Sequence, residues 1–252
     1  MSRIPAILHQ TWRTADLPMP FAAWRIGWIK RHPDWDRRLY DDGSIRRTIC
    51  DRAPRWLPTY EALPRAIQRV DFFRYLIVYL DGGLYADIDT VSYLPCDPLL
   101  DGENCVLGIE LHLHRHLQEE LSYDQPWQLA NFIFAAAPGH PLFGTLIEAI
   151  ARAARTPARD DEIVQEVTGP RMLTRVVQKL PKQEARSIRI LPQVAWNAPW
   201  AYPRLGPLAR RIYARHACFG SWRTQNPVAQ RLWRGVRYRW PNPFAVAGPR
   251  MR

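Results

Sequence analysis

Gly82-Gly83-Leu84-Tyr85-Ala86-Asp87-Ile88-Asp89 follows directly on a long apolar stretch, and the two together set the fold class. The stretch from about Ala66 to Leu80 is apolar nearly all round, which predicts a buried helix. Asp81-Gly82-Gly83 stops it, because glycine accepts the left-handed turn that ends a helix. Leu84–Ile88 then reads as a strand. In a strand, side chains alternate faces, so Asp87 and Asp89 share one face while Ile88 points to the core. Their Cα atoms would sit about 6.6 Å apart, so one aspartate is expected to bind a small cation directly. The other would act through water or hold a hydroxyl. Hard divalent cations such as Mn²⁺ or Mg²⁺ take oxygen ligands and share them with substrate phosphates.

Working outward, Ile4–Leu8 predicts a short buried strand that ends at polar His9-Gln10-Thr11, and Pro20 opens a helix through about Arg31. Arg37–Tyr40 reads as a second strand, with Asp42 or Ser44 capping the helix after it. Further strands are expected at Val106–Ile109, Phe132–Ala135, Ile188–Leu191 and Ile212–Ala217, and helices at Pro141–Arg155 and Arg171–Leu180. Strands and helices alternate through the first half, which predicts an α/β fold with a sheet flanked by helices. From Leu191 onward the chain is rich in Pro, Trp and Arg and reads as irregular. No apolar run reaches the roughly 18–20 residues of a membrane span. Four well-separated cysteines form no C-x-x-C pair, which fits a reducing compartment.

The net charge is +11, with 35 basic residues of which all but Lys30, Lys179 and Lys182 are arginine. Such a field favours polyanions: nucleic acid, an anionic membrane face or phosphorylated substrates. Between Arg231 and Trp240, four arginines interleave with Leu232, Trp233, Val236, Tyr238 and Trp240. Such a segment suits peripheral contact with an anionic membrane, or nucleic acid, and equally a tail packed on its own domain. His112-x-His114-x-His116 would share one strand face, but no carboxylate or thiol stands at ligand spacing, and a loop over the acceptor is the better reading. No P-loop, G-x-G-x-x-G or G-x-S-x-G is present, so kinase, dehydrogenase and serine-hydrolase readings lack support.

Asp71 and Arg74, three residues apart, are neighbours on one face of the buried helix. They make either a satisfied internal ion pair or, if that face opens on a ligand, a phosphate and sugar contact. The order Val70-Asp71-Phe72-Phe73-Arg74-Tyr75-Leu76, then Gly82-Gly83-x-Tyr85-x-Asp87-x-Asp89, strongly resembles glycosyltransferase family 32, whose sugar-binding region carries a DXD motif. Ile4–Trp12, Asn131-x5-Ala137-Pro138-Gly139-His140-Pro141, Thr168-Gly169-Pro170 and His216-x3-Gly220-Ser221-Trp222 agree in order along the chain.

The resemblance implies a GT-A fold, a nucleotide-sugar donor (GDP-mannose or a UDP-hexose), Mn²⁺ or Mg²⁺, and retention at the anomeric carbon. It also implies a glycan or lipid-linked acceptor. Carried over, it makes Asp71, Arg74, Asp87 and Asp89 the catalytic set. Trp12 would stack near the base, with the main chain of Leu8, His9 and Gln10 lining its pocket. Asp71, Arg74 and Tyr85 would hold sugar and phosphate, Asp87 ribose or sugar, and Asn131 would lie near the transferred sugar. Ser221 and Trp222 would close over the diphosphate. Asp89 would ligate metal, with Asp87 and His216 as further metal residues. The expected organisation is a catalytic domain over 1–225 and a basic aromatic tail over 226–252. Without the fungal members' anchor, a cytoplasmic enzyme is expected, peripheral at the inner membrane face. A basic nucleic-acid-binding protein and a catalytically silent glycan-binding module stay open as alternatives, though the intact acidic set argues against both and no nucleic acid is expected.

Overall fold

A computed structural model describes residues 3–154, 161–198, 211–218 and 238–239. Its centre is a mixed sheet of strands β1 (Ile7–Thr11), β2 (Asp36–Tyr40), β3 (Gly83–Ala86), β5 (Cys105–Leu113), β6 (Trp127–Ala136) and β7 (Ile188–Leu191). They lie in the order β2-β1-β3-β6-β5-β7. β1 runs parallel to β2 and β3, whereas β6 is antiparallel to both β3 and β5. A separate ribbon pairs β4 (Thr90–Ser92) with β8 (Ala214–His216). The helix Phe21–Arg31 crosses between β1 and β2, and the helix Ala66–Asp81 leads back into β3. Parallel neighbours require such crossovers.

Alternation along the strands splits the core into two layers. Tyr85, Phe134, Leu107 and Ile109 pack with the helices Ala66–Asp81, Pro141–Ala153 and Pro170–Gln178. Leu84, Ala86, Val106, Ile133 and Ala135 pack against Trp28 and Trp196 on the other face. The period of two in the strands thus produces a three-layer α/β sandwich.

The double glycine is required where it stands. Gly82 (φ 66°) ends the helix, its N–H bonding Val78 O at 2.9 Å. A Cβ on Gly83 (φ 96°) would sit 2.7 Å from Ile7 O, so only glycine lets β3 approach β1.

The first strand lies three residues beyond its expected position. Ile7–Thr11, and not Ile4–Leu8, is extended, because its polar residues are buried with partners. His9 donates from Nε2 to Gly82 O (2.9 Å), which fixes the tautomer and leaves Nδ1 to accept from the Tyr40 hydroxyl (3.1 Å). Gln10 accepts from Arg25 Nη1 at 2.7 Å. At the next helix, Asp41 and not Asp42 is the cap: its carboxylate accepts from Ser44 N while Ser44 Oγ accepts from Asp41 N. After Leu191 the chain is more regular than expected, with a helix at Gln193–Asn197 before β8. The three histidines do not share a strand face, since β5 ends at Leu113, His114 precedes the helix Arg115–Glu120 and His116 lies within it. Within the basic aromatic segment Arg231–Trp240, Tyr238–Arg239 form a strand (β9) paired with the end of β5; residues 231–237 and 240 lie outside the described residues. Among the described residues no helix is long and apolar enough to cross a membrane.

Burial lowers the His9 imidazole from 6.5 to about 4, against the raising pull of its bond to Gly82. Burial also lowers His140 to about 4. A depressed histidine favours folding fully above its unfolded value, and that contribution is lost as pH falls through the window from 6.5 to 4. At pH 5 the loss is about 2 kcal/mol for His9. Residue-resolved NMR titration is expected to show both rings titrating with midpoints near pH 4. A midpoint near that of a free histidine would contradict the buried hydrogen-bond network.

Candidate active site

The aspartate pair stands on a turn rather than on a strand. β3 ends at Ala86, and Thr90 N bonds back to Asp87 O at 2.9 Å, closing a four-residue turn over Asp87–Thr90. Two backbone bonds fix that turn: Asp87 N to Phe132 O, and Ala217 N to Asp89 O, both 2.8 Å. The second continues the β4–β8 ladder, which sets Thr90 opposite His216. Folding the motif back therefore overturns the extended spacing expected from sequence. Asp87, Asp89 and His216 each offer a ligand atom, and these lie within 4.8 Å of one another. His216 Nε2 is 3.0 Å from Asp89 Oδ1, and the ring stacks on Phe132 at 4.2 Å between centroids.

Two carboxylates and an imidazole are a donor set that suits Mn²⁺ and, with water and phosphate completing it, Mg²⁺. In the structure His216 Nε2 and Asp89 Oδ1 are hydrogen-bonded to each other, and these same atoms would be the ones offered to a cation. Burial alone would lower His216. Charge on Cys218 and Asp89, together with hydrogen bonds to both, lifts it well above the ordinary histidine range. Cys218 Sγ lies 3.2 Å from His216 Nδ1, so both ring nitrogens are held.

Behind the turn lies the pair read from the buried helix. Asp71 and Arg74 are each only 3% exposed. Arg74 Nη2 reaches Asp71 Oδ1 at 3.2 Å and Asp87 Oδ1 at 3.1 Å, while Nη1 donates to Asn131 O at 2.8 Å. Its guanidinium also lies over the Tyr85 ring, 4.9 Å from the centroid. Nη1 and Nη2 are thus engaged by protein acceptors, which makes Arg74 a brace of Asp87, while its buried Nε has no partner. Asp71 accepts from Thr168 Oγ1 (2.9 Å) and Asn131 Nδ2 (3.1 Å) as well. Burial pushes its carboxyl up to about 7 against the opposing pull of Arg74 and those hydrogen bonds. Burial likewise raises Asp87, again against Arg74.

A cavity of about 680 Å³ opens over this cluster. Asp71, Arg74, Asp87, Asp89, Asn131 and His216 all line it, as does Trp12, whose ring packs on Phe21 at 4.6 Å. Leu8, His9 and Gln10 do not line it. They sit inside the sheet, where β1 is paired on both edges, and the lining begins at Thr11. Tyr85 does not line it either. Its fully buried phenol bonds Thr11 Oγ1 and donates to Asp87 Oδ1, both at 2.8 Å, so it positions the aspartate instead of meeting sugar. Ser221 and Trp222 lie outside the described residues. Sequence reasoning missed Thr168 as a partner of Asp71, and missed Glu110, Gln128 and Cys218 in the wall. Thr168 stands in the Thr168-Gly169-Pro170 motif, which carried no assigned role, and no local pattern marks the other three, since each is brought in from a distant segment.

Tyr85→Phe tests the positioning role. Removing the hydroxyl takes a donor from a largely desolvated carboxylate, which costs about 1–3 kcal/mol of stability. It also frees Asp87 to turn, and loss of such an orienting contact typically lowers metal affinity about 10–100-fold. Mn²⁺ titration and a melting curve on the same sample measure both, and unchanged Mn²⁺ affinity would contradict the role.

A family model for the glycosyltransferase sugar-binding region containing the DXD motif matches residues 25–106. Inositol phosphoceramide mannosyltransferase 3 of Schizosaccharomyces pombe is 31% identical over 185 residues, covering 72% of this chain and 48% of the relative. Inositol phosphoceramide mannosyltransferase 2 of the same yeast is 29% identical, covering 83% of this chain and 53% of its own length. The chain therefore spans about half the length of these relatives. Among solved structures, the galactosyltransferase LgtC with donor and acceptor sugar analogs superposes with a TM-score of 0.50 at 13% identity, over 94% of this chain and 98% of that one. That likeness bears on the fold alone, and the fold is GT-A, with its mixed central sheet flanked by helices.

Proposed function

Because the chain belongs to the glycosyltransferases whose sugar-binding region contains a DXD motif, family 32, we propose that it transfers a hexose from a nucleotide-diphospho-sugar to a glycan or lipid-linked hydroxyl. The observation that carries this reading is the convergence of Asp87, Asp89 and His216 at one cavity with Asp71 and Asn131. The donor is GDP-mannose or a UDP-hexose. The curated relatives named above are mannosyltransferases, which favours GDP-mannose. Transfer proceeds with retention, as the family resemblance implies.

Asp87, Asp89 and His216 would hold Mn²⁺ or Mg²⁺, which supplies positive charge against the departing nucleoside diphosphate. The chain's own residues do the rest. Arg74, Tyr85 and the turn hydrogen bonds hold Asp87 in place before substrate arrives, so little reorganisation is needed during reaction. Asp71 and Asn131, hydrogen-bonded to each other, present polar atoms to sugar hydroxyls. Trp12 and Phe21 give an aromatic surface on which a base can stack.

A thermal-shift panel tests this reading, since a ligand of the folded state raises apparent stability with RT ln(1 + [L]/Kd). At least one of GDP-mannose, UDP-glucose and UDP-galactose should raise the melting temperature with Mn²⁺ and much less without it. Salt-dependent DNA binding with no response to any nucleotide-sugar would favour the nucleic-acid alternative. Binding of glycans alone would favour the silent module.

The lipid acceptors in the names of the yeast relatives and the charge of +11 support a second part of the proposal. The chain works at an anionic membrane surface, on the cytoplasmic side. Attraction of basic residues to such a surface is worth about 1 kcal/mol each and is screened by salt. Co-sedimentation with vesicles of graded phosphatidylserine content should rise with that content and fall with salt; no binding at low salt would refute it.

A further inference from the structure

The cavity holds a carboxylate that neither the metal corner nor the Arg74 brace uses. Glu110, on β5, lines the cavity. Its Oε2 accepts from Gln128 Nε2 at 2.9 Å, and its backbone carbonyl accepts from Asn197 Nδ2, also at 2.9 Å. Gln128 is itself 6% exposed, and its Oε1 is 3.4 Å from the Tyr123 hydroxyl, so the brace is buried and oriented. Among the described residues no arginine, lysine or histidine forms an ion pair with Glu110, unlike Asp71, Asp87 and Asp89. A partly buried carboxylate held on one oxygen and given no cation is placed to accept hydrogen bonds from something that enters the cavity.

Its position in the sheet says which part of a substrate it meets. Asp87 is anchored beside Phe132 on β6, and Asn131 is the next residue. Glu110 lies on the far side of β6, near the pairs Ile109↔Leu129 and Leu111↔Gln128. One strand spacing of about 4.8 Å on each side of β6 and three or four residues along it separate the two by on the order of 10–15 Å. That exceeds the reach from a metal to its diphosphate, and Asn131 and Asp71 occupy the interval.

Resting on the proposed glycosyl transfer, we infer that Glu110 is an acceptor-binding residue, accepting a hydrogen bond from a sugar-ring hydroxyl of the incoming acceptor with Gln128 fixing its rotamer. The donor hexose is left to Asp71 and Asn131. A site built to hydrogen-bond a hydroxyl discriminates strongly, because its polar group is otherwise left unpaired.

Glu110→Gln keeps an oxygen for Gln128 and removes the charge. The full-length chain is assayed in Mn²⁺, with the nucleotide-sugar that turns over, for two products: free hexose from transfer to water, and glycoside from transfer to methyl α-D-mannopyranoside as the acceptor probe. The variant is expected to melt like wild type and to hydrolyse donor within about twofold of it, while transfer to the probe falls about tenfold or more. Unchanged transfer would overturn the inference. So would an equal fall in both products, which assigns Glu110 to donor or structure, and so would wild-type hydrolysis without any transfer to the probe. If the wild type turned over no nucleotide-sugar at all, the proposed function itself would fail and this assignment with it.

Discussion

Asp89→Ala is expected to lose donor turnover by about a thousandfold or more while keeping its fold, because the substitution removes one ligand of a charge-neutralising ion and nothing from the core. Asp89 sits on the turn with its backbone carbonyl, not its side chain, holding Ala217, so the β4–β8 ribbon survives the change. His216 loses a partner at 3.0 Å but keeps its stack on Phe132. The check is release of hexose from the nucleotide-sugar beside a melting curve on the same preparation. Turnover near wild type would remove Asp89 from the chemistry. Asp87→Ala should be as severe in turnover and more costly in stability, because it also strips Arg74 of one carboxylate.

Arg74→Met is expected to be the most destabilising change in the site. It leaves Asp71 and Asp87 facing each other, desolvated, with no cation between them. Breaking a buried pair from one side costs about 3–5 kcal/mol, or on the order of ten degrees in melting temperature for a chain of this size. Arg74→Lys rescues little, since one ammonium cannot serve two carboxylates and the Asn131 carbonyl from a planar fork. If the guanidinium were free to hold phosphate, Arg74→Lys would melt like wild type and lose only activity. Parallel melting curves of the two variants separate these cases.

The parts that were legible in the sequence are those written locally. The helix Ala66–Asp81 announces itself by its apolar run, and Gly82-Gly83 end it for the steric reason anticipated. β7 and the helix Pro141–Ala153 also stand close to where the pattern puts them. What failed depends on partners far along the chain. Polar His9, Gln10 and Thr11 read as a strand end, yet Gly82, Arg25 and Tyr85 give each of them a partner inside the sheet, leaving only Gln10 Nε2 without one. The alternation after Gly83 suggested that the strand ran on to Ile88, whereas the Asp87–Thr90 turn converts two spaced carboxylates into a convergent pair. β6 begins five residues earlier than expected, because Gln128 and Asn131 face a cavity rather than the core. His216, 127 residues from Asp89, could be joined to it only through the family resemblance.

The central claim is that Asp87, Asp89 and His216 form one cation site that works together with a nucleoside diphosphate. Mn²⁺ electron paramagnetic resonance on the full-length chain, titrated with and without GDP and UDP, tests it most directly. The account predicts one protein-bound Mn²⁺ per chain, tightened by whichever nucleotide the donor carries, and weakened at least about tenfold by Asp89→Ala and by His216→Ala separately. Mn²⁺ that stays free in the presence of both nucleotides, or that binds both variants as tightly as wild type, would contradict it.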